Sequence, residues 1–295
     1  MALRQLTRLH DAFWGEVDTR IYAGLRIIFS MLALLQYWTF RPILESQFSD
    51  GSWFTRATAV ATNQSLGWSP LFFFGSPSFV LGWFAATMLC LGTLLVGYRT
   101  RLSAVAVCVG LFALRDRNPF PWDPRDEFIR IVLTLLAFAP SGGAWSLDAR
   151  TAPRSRGPGG VLQLLRAQLV LVYLTAGVSK LSGPSWWNGT ALSLAAANPA
   201  ISRFELGVGP WAQLLTWITP EFEILVAIAL CVPIARRIAV VLALAFHLGT
   251  AIIFKVELFP VIMGAWCLTF VPEIFVPDLQ RYRRMDYDLG DAKSR

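Results

Sequence analysis

Residues 161–181 read VLQLLRAQLVLVYLTAGVSKL, an apolar run that carries a lysine next to its last residue. A run of about 20 apolar residues has the length that crosses the hydrocarbon core of a bilayer as a helix. The run also holds Arg166 and Lys180, and an ionisable group inside a span needs a partner, a water-filled cavity or a route to the headgroups. This stretch therefore predicts a fold class and a candidate site together.

Hydropathy predicts about eight such spans. The other seven cover residues 21–40, 78–98, 102–114, 127–140, 212–234, 238–254 and 256–275. Only 15% of the 295 residues are charged and the mean hydropathy is +0.52, whereas soluble chains carry about 25% charged residues. We therefore expect an all-α, polytopic transmembrane helix bundle. It would be a single domain with its core at 20–277, short tails at both ends and no sizeable soluble domain.

Pro220 interrupts the sixth run. The sequence TPEFE at 219–223 is typical of a helix start, with Thr219 as the cap and Pro220 at the first helical position. The sixth span is therefore predicted to begin there. Residues 210–218 are then expected to form a separate interfacial or re-entrant piece.

The basic residues predict an orientation. Most of the 26 Lys and Arg residues fall in the terminal segments and in alternate connections. By the positive-inside rule, both termini are cytoplasmic, and the longer connections 41–77, 115–126 and 182–211 lie outside. This distribution explains the net charge of +7 without a nucleic-acid partner. Because Arg greatly outnumbers Lys in an Ala-rich chain, we expect a bacterial inner-membrane protein.

The fifth span carries the first group of candidate residues. Arg166, Tyr173 and Lys180 are spaced by seven and so share one helix face, and Gly177 allows another helix to approach. Lys180 either reaches the headgroups or faces a cavity, where loss of water would make it a better base. Spacing leaves these two alternatives nearly even.

Two more ionisable side chains follow on the next spans, Glu223 and His247. The other histidine lies in the N-terminal segment, so a proton shuttle near neutral pH would have to use His247. The alternative is a hydrogen-bonded packing residue. Together with Lys180, the three groups lie on consecutive spans and can satisfy one another.

Other candidate residues have a structural alternative as well. Asp126 and Arg130 are one turn apart on the fourth span and form either a local pair or part of a polar cavity. Trp186 and Trp187 belong to the aromatic residues of the outer connections, whose usual role is anchoring at the membrane interface. The four cysteines lie in apolar runs without metal-binding spacing, so no metal site is predicted.

Four stretches carry a family pattern. VYLTAGVSKLSGPSWWNGTAL at 172–192 holds a lysine motif, and FEILVAIALCVPIARRIAVVLALAFHLGTAIIFKVELFP at 222–260 holds an acidic residue, a histidine and a later Phe-Pro. LGTLLVGYRTRLSAV at 91–105 and RNPFPWDPRDEFIRIVLTLLAFAPSGGAWSLD at 117–148 agree as well. Over about residues 20–277, the chain resembles the HTTM family, the membrane domain shared with vitamin K-dependent γ-glutamyl carboxylases.

The resemblance implies an activity. In the carboxylases, the lysine of the motif is the proposed base acting on reduced vitamin K, and it falls on Lys180. The family's acidic position falls on Glu223 and its histidine on His247. The oxygenated quinone then deprotonates the γ-carbon of a peptidyl glutamate, and the carbanion attacks CO₂. The implied cofactor is reduced vitamin K or a menaquinol-type quinol, and the implied class is a carbon-carbon lyase.

Two functions remain open. The first is a carboxylase-like enzyme for quinol-dependent carboxylation or oxygenation, in a cavity open to the outer leaflet. Lys180 would be the base, and Glu223 and His247 would orient it or relay protons. The second is a non-catalytic membrane factor for maturation or export of a secreted peptide.

Expected partners are a membrane lipid or quinone and a secreted peptide, not nucleic acid. The residues expected to contact substrate are Tyr173, Gly177, Trp186, Trp187, Arg130 and Asp126.

Overall fold

The computed structural model describes residues 15–62, 67–203 and 209–276. These residues are mostly helical, as the hydropathy predicts, with one short two-stranded sheet that the all-α expectation lacks. Most of the tails expected to be cytoplasmic, residues 1–14 and 278–295, lies outside the described residues. The chain forms two compact units, one ending at Val161 and the other beginning at Leu162.

The first unit contains six helices among its described residues and both strands of the sheet. Its elements are β1 (Glu16–Asp18), α1 (Thr19–Trp38), α2 (Leu44–Phe48), α3 (Arg56–Thr62), α4 (Pro77–Val96), α5 (Thr100–Arg117), α6 (Pro124–Ala137) and β2 (Arg156–Pro158). The strands are antiparallel, with Val17 opposite Gly157. Asp18, Ser76 and Asp123 accept backbone N–H bonds as caps of α1, α4 and α6, which is why these helices begin there.

Two fully buried arginines order the connections of the first unit. Arg26 in α1 donates to the carbonyl oxygens of Ser141, at 2.7 Å, and Trp145, at 2.5 Å. Arg117 at the end of α5 donates to the carbonyl oxygen of Ser49 at 2.8 Å. Buried carbonyl groups need donors, so each cation fixes a loop whose backbone would otherwise lack hydrogen bonds.

The start of α5 is capped from a distant segment. Asp148 accepts hydrogen bonds from the backbone N–H groups of Arg99, at 2.8 Å, and Thr100, at 2.7 Å. Gly97, at the end of α4, has a left-handed φ of 70°, which allows a tight turn into α5. A carboxylate is favourable at a helix start, where N–H groups lack helical partners. The α4–α5 turn is therefore held by the loop that follows α6.

The second unit carries most of the predicted site residues. Its elements are α7 (Gly160–Leu181, which begins two residues before the unit), α8 (Pro184–Trp187), α9 (Ala191–Ala196), α10 (Pro210–Cys231), α11 (Arg236–Ile253) and α12 (Phe259–Cys267). α11 packs against both α10 and α12. An isolated bridge between Ser202 and Phe254 ties the segment after α9 to the end of α11.

Five helices are long and apolar enough to cross a membrane, namely α1, α4, α7, α10 and α11. The other three predicted spans are helical but fall short of that standard. α6 has 14 residues and α12 has nine, while α5 carries several charged residues near its ends. The expected count of about eight spans is therefore not confirmed.

Pro220 lies in the middle of α10 and not at its start, so the predicted break at 219–220 is wrong. Pro210 occupies the first turn, where a missing N–H costs nothing. Thr219 does not cap a helix, because its hydroxyl donates to the carbonyl oxygen of Leu215 within the same helix, at 2.7 Å. Proline is tolerated inside a membrane helix where neighbouring packing and hydroxyl groups compensate for the lost bond.

Candidate functional site

Three helices of the second unit bring the predicted site residues together. α7 supplies Tyr173, Gly177 and Lys180, α10 supplies Glu223, and α11 supplies His247. The three residues of α7 lie within about two turns, because residues three, four and seven apart share a helix face.

Lys180 forms an ion pair with Glu223. Its Nζ lies 2.6 Å from Glu223 Oε2, and the two side chains are 23% and 9% exposed. The same Nζ lies 5.5 Å from the centre of the Trp186 ring. The lysine is turned towards a partner on another helix, which is neither of the two alternatives left open by the spacing.

Gly177 allows α7 and α10 to approach closely enough for this ion pair. A Cβ placed on Gly177 would lie 2.7 Å from Ile224 Cγ1 and 2.8 Å from the carbonyl oxygen of Pro220. Both distances are shorter than van der Waals contact, so only glycine fits without movement of α10. The absent side chain lies less than one turn from Lys180, and Ile224 directly follows Glu223.

Tyr173 and His247 form a second buried contact. Tyr173 Oη lies 2.7 Å from His247 Nε2 and 3.9 Å from Cys267 Sγ, and the two side chains are 2% and 3% exposed. His247 Nδ1 has no hydrogen-bond partner among the described residues. The rings of Phe246 and Phe259 meet the imidazole edge-on. Either tautomer leaves Nδ1 unsatisfied, as a donor or as an acceptor.

The two contacts are separate along α7. Tyr173 precedes Lys180 by seven residues, a rise of about 10 Å at 1.5 Å per residue. The expectation that Lys180, Glu223 and His247 satisfy one another therefore holds for the first two, while the hydrogen-bond partner of His247 is Tyr173.

A pocket of about 220 Å³ lies beside the ion pair. We call it the tryptophan pocket, and its described lining residues are Leu181, Trp186, Trp187, Trp217, Pro220 and Glu221. Trp186 and Trp187 therefore line a pocket, while their contact with a substrate stays a prediction. Lys180, Glu223 and His247 are not among its lining residues.

Asp126 and Arg130 lie in the first unit, and the predicted pair between them is wrong. Asp126 is fully buried; it accepts from Gln36 Nε2 at 3.1 Å and from the backbone N–H of Asp123 at 2.9 Å. The second bond completes a capping box that turns the carboxylate back towards the helix start. Arg130 instead forms an ion pair with Glu127.

Trp217 was not predicted as a site residue, and its position beside Glu221 was not predicted either. Positions four apart on a helix share a face. In a continuous α10, the spacing of Trp217 and Glu221 therefore predicts that the two side chains are neighbours. The predicted break at Pro220 separated the two residues. Cys267 was considered only as a buried thiol, and its proximity to Tyr173 depends on tertiary packing.

Comparison with known proteins gives one match. The sequence model described as the HTTM domain matches residues 16–274. No curated protein and no solved structure matches the chain. Within the part of the chain that the structure describes, no group of three His, Cys, Asp or Glu side chains is arranged to hold a metal ion.

Proposed function

The chain belongs to the HTTM family, and from that premise we propose that this membrane protein is a vitamin K-dependent γ-carboxylase-like enzyme that uses a reduced quinol. Lys180 is its base and Glu223 its positioning partner. The observation that carries the proposal is the ion pair with 2.6 Å between Nζ and Oε2 on two apolar helices. Intramembrane ionisable residues are expensive to keep and commonly mark functional sites.

The ion pair gives Lys180 a route to a neutral amine. To act as a base, Lys180 must first lose one proton, and Glu223 Oε2 lies close enough to accept it. The free amine can then accept a proton from a substrate hydroxyl. After that step Lys180 is an ammonium again, so Glu223 releases the proton it holds to water, which restores the ion pair.

A buried polar atom without a partner supports a quinol as the substrate. Its polar oxygens need hydrogen-bond partners inside an apolar site, and His247 Nδ1 is a buried polar atom that lacks one. Lys180, still 23% exposed, would meet one hydroxyl, and the aromatic rings around His247 would contact the quinol ring. When bound, a reduced quinol would supply the reducing equivalents for the reaction.

The test is quinol oxidation and CO₂ fixation by the purified protein in lipid nanodiscs, supplied with a menaquinol-type quinol, oxygen, bicarbonate and a glutamate peptide. Removing a general base typically costs about 10²- to 10⁴-fold in rate, so Lys180→Ala should fall by that amount. Lys255→Ala is the matched control, since Lys255 Nζ donates to the carbonyl oxygen of Pro199 and lies outside the pair. Undiminished turnover in Lys180→Ala would exclude Lys180 as the base.

The same geometry favours a second candidate, a non-catalytic factor for maturation or export of a secreted peptide. The bonds from Lys180 and Tyr173 join α7 to α10 and α11, which is what a purely structural role requires. Exchanging the charges, with Lys180→Glu and Glu223→Lys together, separates the candidates. If the ion pair is only structural, the exchanged variant should fold and still support peptide maturation. If Lys180 is the base, the exchange moves the amine to α10, and the enzyme activity should be lost.

A further inference from the structure

The tryptophan pocket presents indole faces rather than indole N–H groups. Trp187 Nε1 donates to the carbonyl oxygen of Leu181 at 2.5 Å, and Trp217 Nε1 donates to the carbonyl oxygen of Trp187 at 3.0 Å. Interfacial tryptophans ordinarily direct this N–H towards water and headgroups. Here both N–H groups are occupied by the backbone, so the two rings are fixed in place, while Trp187 and Trp217 remain 66% and 45% exposed.

The pocket also carries an uncompensated negative charge. Glu221 is exposed and makes no ion pair among the residues described. The neighbouring charges do not neutralise it, because Lys180 is already paired with Glu223. Ring faces and a carboxylate attract the same kind of ligand, a cation, and tryptophan is the strongest of the aromatic side chains in this respect.

The size of the pocket limits the ligand. Its volume of about 220 Å³ lies below the roughly 300–1,000 Å³ of sites that enclose drug-sized molecules. A quinone ring with an isoprenoid tail is therefore too large, while an ammonium headgroup fits. The lining residues come from the end of α7, from α8 and from α10. Leu181 is the last residue of α7, a candidate membrane span, and the end of a span lies at headgroup depth. The residues of α10 that line the pocket lie near the middle of that helix, so the first turns of α10 extend beyond that depth.

We infer that the tryptophan pocket binds the ammonium headgroup of a zwitterionic phospholipid, held by the faces of Trp187 and Trp217 and by the carboxylate of Glu221. This site does not depend on the proposed enzyme activity, since neither Lys180 nor His247 contributes to its lining.

The experiment is calorimetric titration of the purified full chain in maltoside detergent with dihexanoyl phosphocholine below its micelle concentration. Dihexanoyl phosphoglycerol, with the same acyl chains and no ammonium, is the comparison ligand. The phosphocholine should bind at least tenfold more tightly, and tetramethylammonium chloride should compete with it. A cation–π contact is worth about 0.5–2 kcal/mol and an exposed ion pair about 0.2–1 kcal/mol. Trp217→Leu should therefore weaken binding about 2- to 30-fold, and Glu221→Gln about 1.5- to 5-fold.

Trp211→Leu is the matched control, because Trp211 lies on the same helix, is 76% exposed and does not line the pocket. It should leave the affinity unchanged. Equal binding of the two lipids, failure of tetramethylammonium to compete, or unchanged affinity in Glu221→Gln would each overturn the inference. If Trp217→Leu does not fold, Glu221→Gln decides alone, since an exposed carboxylate contributes little to folding. Turnover of Lys180→Ala plays no part in this test, so the two proposals fail independently.

Discussion

Lys180 and Glu223 show how two apolar helices accommodate a pair of opposite charges. Their short contact is possible because one residue in the facing surface, Gly177, has no side chain. The sequence was sufficient to predict both residues as candidates, since each is an ionisable group in an apolar run. It was not sufficient to predict that His247 bonds to Tyr173, because that choice depends on how α11 is rotated against α7.

Removing one partner of the ion pair should destabilise the protein. Lys180→Met leaves the Glu223 carboxylate buried without a counter-charge. The loss for a fully buried pair is about 3–5 kcal/mol, and we expect ~1–3 kcal/mol here because Lys180 is 23% exposed. Thermal unfolding in detergent micelles measures the change. The double variant with Glu223→Gln should recover part of the loss, and no recovery would show that the two side chains do not act as a pair.

Tyr173→Phe removes the hydrogen bond to His247 without changing the shape of the ring. Leaving a buried polar group unsatisfied costs about 1–3 kcal/mol, so the unfolding temperature should fall although the variant is nearly isosteric. Tyr98→Phe is the control, since Tyr98 is 49% exposed. Equal stability of Tyr173→Phe and the wild-type protein would show that the 2.7 Å contact contributes nothing.

Asp148 gives a pH-dependent contribution to stability. Partial burial raises the pKa of Asp148, but hydrogen bonds from Thr100 and Arg99 and the charge of Arg26 lower it, leaving the pKa below its usual value. The contribution is therefore complete above the unfolded-state pKa of about 3.9 and is lost as the pH falls through the folded-state pKa.

Asp148→Ala should cost about 1 kcal/mol at pH 7, the usual loss when a helix start loses its capping side chain. The unfolding temperatures of the variant and the wild-type protein should converge as the pH falls below about 4. A difference that stays constant from pH 7 to pH 3 would mean that the carboxylate charge is not responsible.

At the scale of elements, hydropathy located the helices that carry Lys180, Glu223 and His247, because burial and lipid exposure both select apolar runs. It failed at α10, where local rules favoured a new helix at Pro220. Local rules do not include the neighbouring helix, and α7 packs directly on the backbone carbonyl of Pro220. Because of that error the tryptophan pocket was not predicted, since Trp217 and Glu221 lie on opposite sides of the predicted break.

The α7–α10 contact predicts a specific response to substitution. Gly177→Leu would force the two helices apart, and overpacking of this kind costs about 1–3 kcal/mol. It should also lengthen the Lys180–Glu223 contact and reduce any activity that depends on it. Gly249→Leu in α11 is the control, because a Cβ there meets nothing within 4 Å. Similar unfolding temperatures for the two variants would contradict the close approach.

At the scale of the whole molecule, the charge distribution predicts which connections face the cytoplasm. Cysteine labelling tests it in a background where Cys90, Cys108, Cys231 and Cys267 are replaced. Asn188 and Thr151 are both exposed. In spheroplasts, a membrane-impermeant maleimide should label Asn188→Cys directly and Thr151→Cys only after permeabilisation. The reverse pattern would invert the predicted orientation and place the tryptophan pocket at the cytoplasmic leaflet.

The rate of hydrogen exchange at the His247 imidazole also measures how often the second unit opens. The chain has two histidines, so selective ¹⁵N-histidine labelling yields a spectrum with almost no overlap. A ring proton enclosed by Tyr173 and two phenylalanines exchanges with deuterium only when water reaches it. Its exchange rate would therefore time the separation of α11 from α7, and slower exchange after addition of a quinol would report a ligand at this ring before any turnover is measured.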